Sequence, residues 1–249
     1  PIRLALDWTP NTNHTGFFVA QSLGFYASLG LEVHITDPSA DNYATTPAKK
    51  VELGEVDFAI GPSESVISFN TKSQPVGMRA VATILQEDVS AIVTLSSSGI
   101  SRPRELDGKI YASYGARYED KIVQEMIIND GGKGDIQIIY PEKLGIWNTL
   151  SAREADATWI FLNWEGIEAE IGGLTLNTFI LEDYGIPYGY SPVILALEEN
   201  IATRRAAYQD FLTATRQGFL YAQQHPAESV EILKPYVPAY DLEKVDLLK

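Results

Sequence analysis

Short runs of strand composition alternate with helix-spaced segments along this chain, and the series runs twice. In the first run, residues 2–6 alternate apolar and polar side chains and end in the turn-rich Asp7-Trp-Thr-Pro-Asn-Thr-Asn13. Helical spacing follows over 14–23 with Gly24 as the stop. Residues 31–36 read as a second strand, 42–53 as a helix closed by Gly54, and 57–60 as a third strand, after which Pro62-Ser-Glu-Ser65 opens another helix. The second run has strands at 109–114, 136–140, 157–161 and 178–181. Helices are expected between them at 119–129, 143–152 and 165–170. Strand and helix alternating at this spacing mark parallel crossover units, so the expected fold class is α/β.

Two such sets imply two lobes, residues 1–87 with 191–249 and residues 88–190. Residues 80–95 are apolar and β-rich, with no Gly, Pro or Ser tract, and read as extended crossing strands. A second β-rich segment, 192–197, returns the chain to the first lobe. Two crossings make a hinge, which is expected to close over a ligand. Pro1 opens directly on strand-like sequence, which fits a leader removed before it. Residues 240–249 read as a helix without a stop signal.

Composition narrows the function classes. A net charge of −14 argues against nucleic acid and anionic membrane as partners, because both need a basic face. The chain has no Cys, which removes disulfides, thiolate nucleophiles and Cys-ligated metal. No apolar run reaches the roughly 20 residues of a membrane helix.

In open α/β sheets ligands sit beyond the carboxyl ends of the strands, so the residues there carry the functional reading. These are Asp7, Trp8, Asn11 and His14, then Gly61, Pro62, Ser63 and Glu64, then Tyr114, Arg117, Tyr118 and Glu119. Asn163, Trp164 and Glu165 follow a later strand that contains Trp159, and Tyr184, Tyr188 and Tyr190 precede the return segment. Aromatic faces stack on planar rings, and a carboxylate accepts hydrogen bonds from an amidine-like edge. A sugar site uses the same residue types. A phosphate or sulfate site instead needs bare helix N-termini, and Glu64 and Glu119 repel an anion. Each residue also has a structural reading: Trp8 and Trp159 as core, Glu64 and Glu119 as first-turn acids on a helix dipole, the tyrosines as loop braces. Their co-location carries the expectation. The expected ligand-binding set is Trp8, Asn11, His14, Ser63, Glu64, Tyr114, Tyr118, Glu119, Trp159, Trp164, Tyr188 and Tyr190.

Catalysis and metal binding find little support in the residues. His34 and His225 read as structural or solvated, and no second His or Cys accompanies His14, so no metal is expected. No nucleophile elbow, phosphate loop or dinucleotide fingerprint occurs. The expectation is no catalytic residues and no cofactor.

Leu4-Ala-Leu-Asp-Trp-Thr-Pro-Asn-Thr-Asn-His14, with Gly16-Phe-Phe-Val-Ala-Gln21 and Gly24-Phe-Tyr26, resembles the opening of the thiamine-precursor family. That family holds the binding components of ABC importers for pyrimidine precursors and also pyrimidine-precursor synthases. Gly54-Glu-Val-Asp-Phe-Ala-Ile-Gly61, Leu106-Asp-Gly-Lys109, Asn163-Trp-Glu-Gly-Ile167 and Tyr190-Ser-Pro-Val193 are similar to its later landmarks. The resemblance implies a two-lobed type II periplasmic-binding-protein fold. Its importer branch implies an aminopyrimidine stacked on aromatics and held by acidic groups, with Trp8, Tyr114 and Glu119 at matching positions. It also implies a membrane permease as partner, a periplasmic or extracellular membrane-anchored location, and a monomer that does no chemistry on its ligand. Two alternatives stay open: another solute such as riboflavin or an aromatic sulfonate, and a synthase using pyridoxal phosphate and His14. The synthase branch resembles a group with a Cys-rich iron-binding motif, which this Cys-free chain lacks.

Overall fold

The computed structural model describes residues 1–42, 44–116, 118–141 and 146–239, together with Leu242. Arg117, the start of the helix expected from residue 143 and the helix expected over 240–249 lie outside the described residues. In chain order the first elements are β1 (Ile2–Ala5), α1 (Thr15–Ser22), α2 (Phe25–Ser28) and β2 (Val33–Thr36). They continue with α3 (Pro47–Glu52), β3 (Phe58–Gly61), α4 (Glu64–Asn70), β4 (Met78–Thr83) and β5 (Ser90–Leu95). Next come β6 (Ile110–Ala112), α5 (Glu119–Asn129), β7 (Gln137–Ile139), α6 (Ile146–Ser151), β8 (Ala157–Phe161), α7 (Ile167–Ile171) and β9 (Leu176–Phe179). The last are β10 (Val193–Leu197), α8 (Glu198–Thr203), α9 (Arg205–Gln224) and α10 (Pro226–Leu233). No helix among the described residues is long and apolar enough to cross a membrane.

The chain forms two compact units, residues 1–87 with 190–249 and residues 88–189. The first contains a five-stranded sheet in the order β2-β1-β3-β10-β4. β1 pairs in parallel with β2 and β3, whereas β10 enters antiparallel between β3 and β4. The second unit repeats this plan as β7-β6-β8-β5-β9: β6 is parallel to β7 and β8, and β5 runs antiparallel to β8 and β9. Periodicity foresaw the parallel crossovers but not an antiparallel strand inside each sheet. Residues 80–95, expected as crossing strands, are two strands that belong to different units.

Helices cover both faces of each sheet, so the central strands β3, β5 and β10 are buried on both faces. In the first unit Ala59 and Leu195 pack with Ala48 and Val51 of α3, and with Val66 and Phe69 of α4. On α9 the buried positions Tyr208, Phe211, Ala214, Thr215 and Gly218 form one helical stripe. Phe211 stacks on Phe58 of β3 at 4.4 Å and on Tyr26 of α2 at 5.5 Å, and the Tyr26 hydroxyl lies 2.8 Å from Thr215 Oγ1. In the second unit Val123, Met126 and Ile127 of α5 pack with Tyr111, Ile92 and Phe179, while Leu150 of α6 packs with Ala91, Val93, Ala112 and Ile160.

Two expected helices are shortened by local chemistry. The helix expected over 42–53 begins only at Pro47. The residue before a proline is driven to extended backbone, so Thr46 sits at φ −64°, ψ 149° and caps the helix through its hydroxyl. The helix expected from Glu165 starts at Ile167, after a five-residue π turn over Leu162–Gly166.

Candidate functional site

In the first unit the carboxyl end of β1 opens into a loop that locks itself. Asn11 heads a short 3₁₀ turn, Thr12–His14, and its side chain accepts from the Asn13 amide at 2.9 Å and donates to the Thr9 carbonyl at 3.1 Å. His14 Nδ1 accepts from the Asn11 amide at 3.2 Å, which leaves the ring proton on Nε2, 2.7 Å from Asp7 Oδ1. Asn11 and His14 are 4% and 1% exposed, whereas Trp8, on the same loop, is 40% exposed. The loop thus buries Asn11 and His14 and leaves Trp8 exposed.

The same sheet edge gathers two more segments. Ser63 and Glu64, at the start of α4, follow β3 and are partly exposed. Because β10 runs antiparallel, with Val193 opposite Gly61, the residues preceding it lie at the carboxyl end of β3. Tyr190 stands there, with its amide donating to the Gln86 carbonyl at 3.1 Å. It has φ +53° and is 62% exposed, a left-handed backbone that costs a bulky residue of order 1–3 kcal/mol. Strain of that kind concentrates at functional positions.

In the second unit the carboxyl ends of β6, β8 and β9 supply the edge. Glu119, in the first turn of α5, points inward. Its Oε1 accepts from the Tyr111 hydroxyl at 2.7 Å and the Tyr114 amide at 3.1 Å, and its Oε2 accepts from the amides of Tyr114 at 3.1 Å and Ala116 at 3.2 Å. Burial raises its pKa above the ordinary carboxylate value, opposed by these bonds from Tyr111, Tyr114 and Ala116. Next to it, Asp120 accepts from Ser113 Oγ at 2.7 Å and from the Tyr140 hydroxyl. The two first-turn acids therefore organise the 113–118 loop, so that Glu119 holds Tyr114 by its backbone.

Tyr114 is 44% exposed over the whole residue and Tyr118 is partly exposed, whereas burial of the Tyr114 phenol, with smaller contributions from the Glu165 and Glu119 charges, pushes its pKa well above the ordinary tyrosine value. Trp159 and Tyr188 meet edge to face at 5.3 Å, both partly buried. Trp164, in the π turn, is buried, and Glu165 Oε2 accepts from the Phe161 amide at 2.9 Å. Asp88, just before β5, was not singled out from sequence. It accepts from the Ser90 amide and hydroxyl, and burial raises its pKa. Only knowledge that β5 runs antiparallel to β8 would have flagged it.

The twelve expected residues thus divide. Trp8, Tyr114 and Tyr190 are exposed aromatics at the strand ends; Ser63, Glu64, Tyr118, Trp159 and Tyr188 are partly exposed. Asn11, His14 and Glu119 are buried and bonded to their own loops, and Trp164 is buried. An open groove of about 500 Å³ between α7 and β9 has no aromatic residue in its lining. Among the described residues, no group of three or more His, Cys, Asp or Glu is placed to hold a metal ion.

Residues 11–229 match the family described as NMT1/THI5 like. The formylaminopyrimidine-binding protein of Halalkalibacterium halodurans is 23% identical over 235 residues, covering 93% of this chain and 69% of that protein. The 4-amino-5-hydroxymethyl-2-methylpyrimidine phosphate synthase of Legionella pneumophila is 25% identical over 234 residues, covering 93% and 72%. Among solved structures, the periplasmic aliphatic sulphonate binding protein of Escherichia coli matches with a TM-score of 0.71 at 15% identity, over 99% of this chain and 78% of that one. The sheet order and this likeness give the fold, that of the periplasmic binding proteins, and the family match gives the lineage: the chain belongs to the NMT1/THI5-like family.

Proposed function

We propose that this chain is the solute-binding component of an ABC importer, and that its ligand is a planar aminopyrimidine related to thiamine. The observation that carries the reading is the exposure of three aromatic residues, Trp8, Tyr114 and Tyr190, at the strand ends where ligands of α/β sheets sit. Hydrogen bonds of buried side chains fix the loops that carry Trp8 and Tyr114. Carboxylates follow strands at the same edges, Glu64 after β3 in the first unit and Glu165 after β8 in the second, and these favour a ligand rich in N–H donors over an anion. A relative named for formylaminopyrimidine binding, matched over 93% of this chain and 69% of its own length, supports the same ligand class. The reading implies a membrane permease as partner and a location outside the cytoplasm.

The second reading is a synthase, because another relative of similar identity carries that name. In the form the sequence suggests, His14 is the reacting group alongside pyridoxal phosphate. The residue does not fit that role: it is 1% exposed, and both ring nitrogens are engaged within its loop. A binding function without chemistry fits His14 better.

A thermal-shift screen of the purified protein tests both readings, using aminopyrimidines, thiamine, riboflavin, an aliphatic sulfonate and pyridoxal phosphate. A ligand specific for the folded state stabilises it by about 2.7 kcal/mol at a hundredfold excess over its dissociation constant. Stabilisation by aminopyrimidines is the expected result. A response to riboflavin or sulfonate alone overturns the ligand but keeps the receptor. A pyrimidine product formed with pyridoxal phosphate and iron overturns the receptor reading itself.

A further inference from the structure

β5 enters the second sheet antiparallel beside β8, so the residues that precede it stand where β8 ends. Ser90 pairs with Phe161, and the Leu162 amide donates to the Val89 carbonyl at 2.8 Å, which sets Asp88 just beyond the last residue of β8. This is the carboxyl edge of the sheet. β6, parallel to β8, ends there too and leads into the exposed Tyr114.

The bonds of Asp88 leave one corner open. Oδ1 accepts from the Ser90 amide at 3.0 Å and from the Ser90 hydroxyl at 2.7 Å. Among the described residues Oδ2 is met only by that same hydroxyl, at 2.9 Å. A hydroxyl carries one proton and cannot serve both oxygens fully, so Oδ2 keeps accepting capacity. Glu119 differs, since each of its oxygens accepts two bonds and the residue is 4% exposed. Ser90 is 1% exposed and set in the ladder, so the anchor is part of the sheet, whereas Asp88 itself is partly exposed. Burial raises the Asp88 pKa in spite of the Ser90 bonds, as expected of a carboxylate short of donors.

Aromatic surface lies on the same side. Directly paired residues of antiparallel strands share a face, so Ser90 and Phe161 stand on the face that carries Ile92 and Trp159. There Trp159 meets Tyr188 edge to face at 5.3 Å, both only partly buried. The bond to the Ser90 side chain turns the Asp88 carboxylate towards this face.

We propose that Asp88 is a ligand-binding residue of this unit, its Oδ2 accepting a hydrogen bond from the amino group of the heterocycle while Ser90 holds Oδ1. The assignment rests on the receptor reading above and deepens it. It favours rings that carry an N–H donor and disfavours rings with a negative group at that corner, since like charges repel in a partly desolvated site. Asp88→Asn is the informative variant. The amide keeps one oxygen for the Ser90 N–H and turns the open corner from acceptor into donor.

The test is titration calorimetry of the full chain with two probes: a methyl-hydroxymethyl aminopyrimidine, and the same ring with hydrogen in place of the amino group. The wild type is expected to prefer the amino ring by about tenfold or more, the value of one good charge-assisted bond. In Asp88→Asn that preference collapses through lost affinity for the amino ring, while the unliganded melting temperature stays within about 4 °C of wild type. Asp88→Ser, which keeps an acceptor for the Ser90 amide and removes the charge, is expected to lose the preference in the same way. Variants that retain the wild-type preference, or that both fail to fold, overturn the assignment and leave the receptor reading intact. A wild type that binds the two rings equally does the same, and one that binds neither overturns both.

Discussion

Tyr111 donates its phenol hydrogen to Glu119 Oε1 at 2.7 Å, with the tyrosine fully buried and the glutamate 4% exposed. One bond thereby ties the middle of β6 to the first turn of α5, and the same carboxylate gathers the amides of Tyr114 and Ala116. Glu119→Gln turns one accepting corner into a donor that faces N–H groups, and is expected to cost about 1–3 kcal/mol. The pH dependence has a definite sign. Burial raises this carboxyl above its ordinary 4.5, so its contribution is full below that value and declines as pH rises through the folded-state pKa. Urea titrations from acid to neutral pH should show the gap between wild type and variant narrowing as pH rises. A gap that widens contradicts the buried-carboxyl account.

The β1 loop offers a parallel case in His14, whose two nitrogens bridge the Asn11 amide and Asp7. His14→Ala removes a buried ring and orphans an amide, and should lower unfolding free energy by about 2–4 kcal/mol. The denaturant midpoint measures it. A loss below about 1 kcal/mol would show that the loop holds its shape without the imidazole.

Helices α1 and α9 approach backbone to backbone. A Cβ built on Gly218 would lie 2.0 Å from the Gly16 carbonyl oxygen and 2.8 Å from the Ala20 Cβ. Gly218→Ala must therefore push the helices apart, against a modest gain in helix propensity. A net loss of about 1–3 kcal/mol is expected, read as a lower melting temperature. Unchanged melting would mean that the two helices are free to separate.

Asp130 closes α5, its carboxylate accepting from the Arg102 guanidinium and, at 3.0 Å, from the Arg104 amide. The Arg102 bonds hold its pKa below the ordinary 3.8, so its stabilisation is present above that value and is lost as pH falls through the folded-state pKa. Asp130→Asn should be less stable than wild type at pH 7, with the difference closing below about pH 3.8. A difference that persists unchanged in strong acid would assign the effect to packing.

Much of the fold could be read from periodicity because its units are local. The bounds of α5 and β8 follow from helical spacing and a short apolar run. The antiparallel insertions of β5 and β10 could not, since their pairing depends on partners far away in the chain. The site followed the same division. That Trp8, Tyr114 and Tyr190 stand at strand ends was legible, because strand ends are. That Glu119 faces inward was not, because it depends on how one loop closes on Tyr111, and neither was the π turn after β8, which side-chain periodicity does not encode.

The placement of β10 has a consequence for how the polypeptide acquires its shape as it is made. All strands of the second unit come from one continuous stretch, residues 88–189, so that unit has its full complement before residue 190 is added. The first sheet does not. Its β3 and β4 have no common neighbour until Val193–Leu197 arrives to fill the gap, and until then each presents an open edge of the kind that invites wrong partners. β3 and β4, although made before the second unit, are thus among the last strands to complete their pairing.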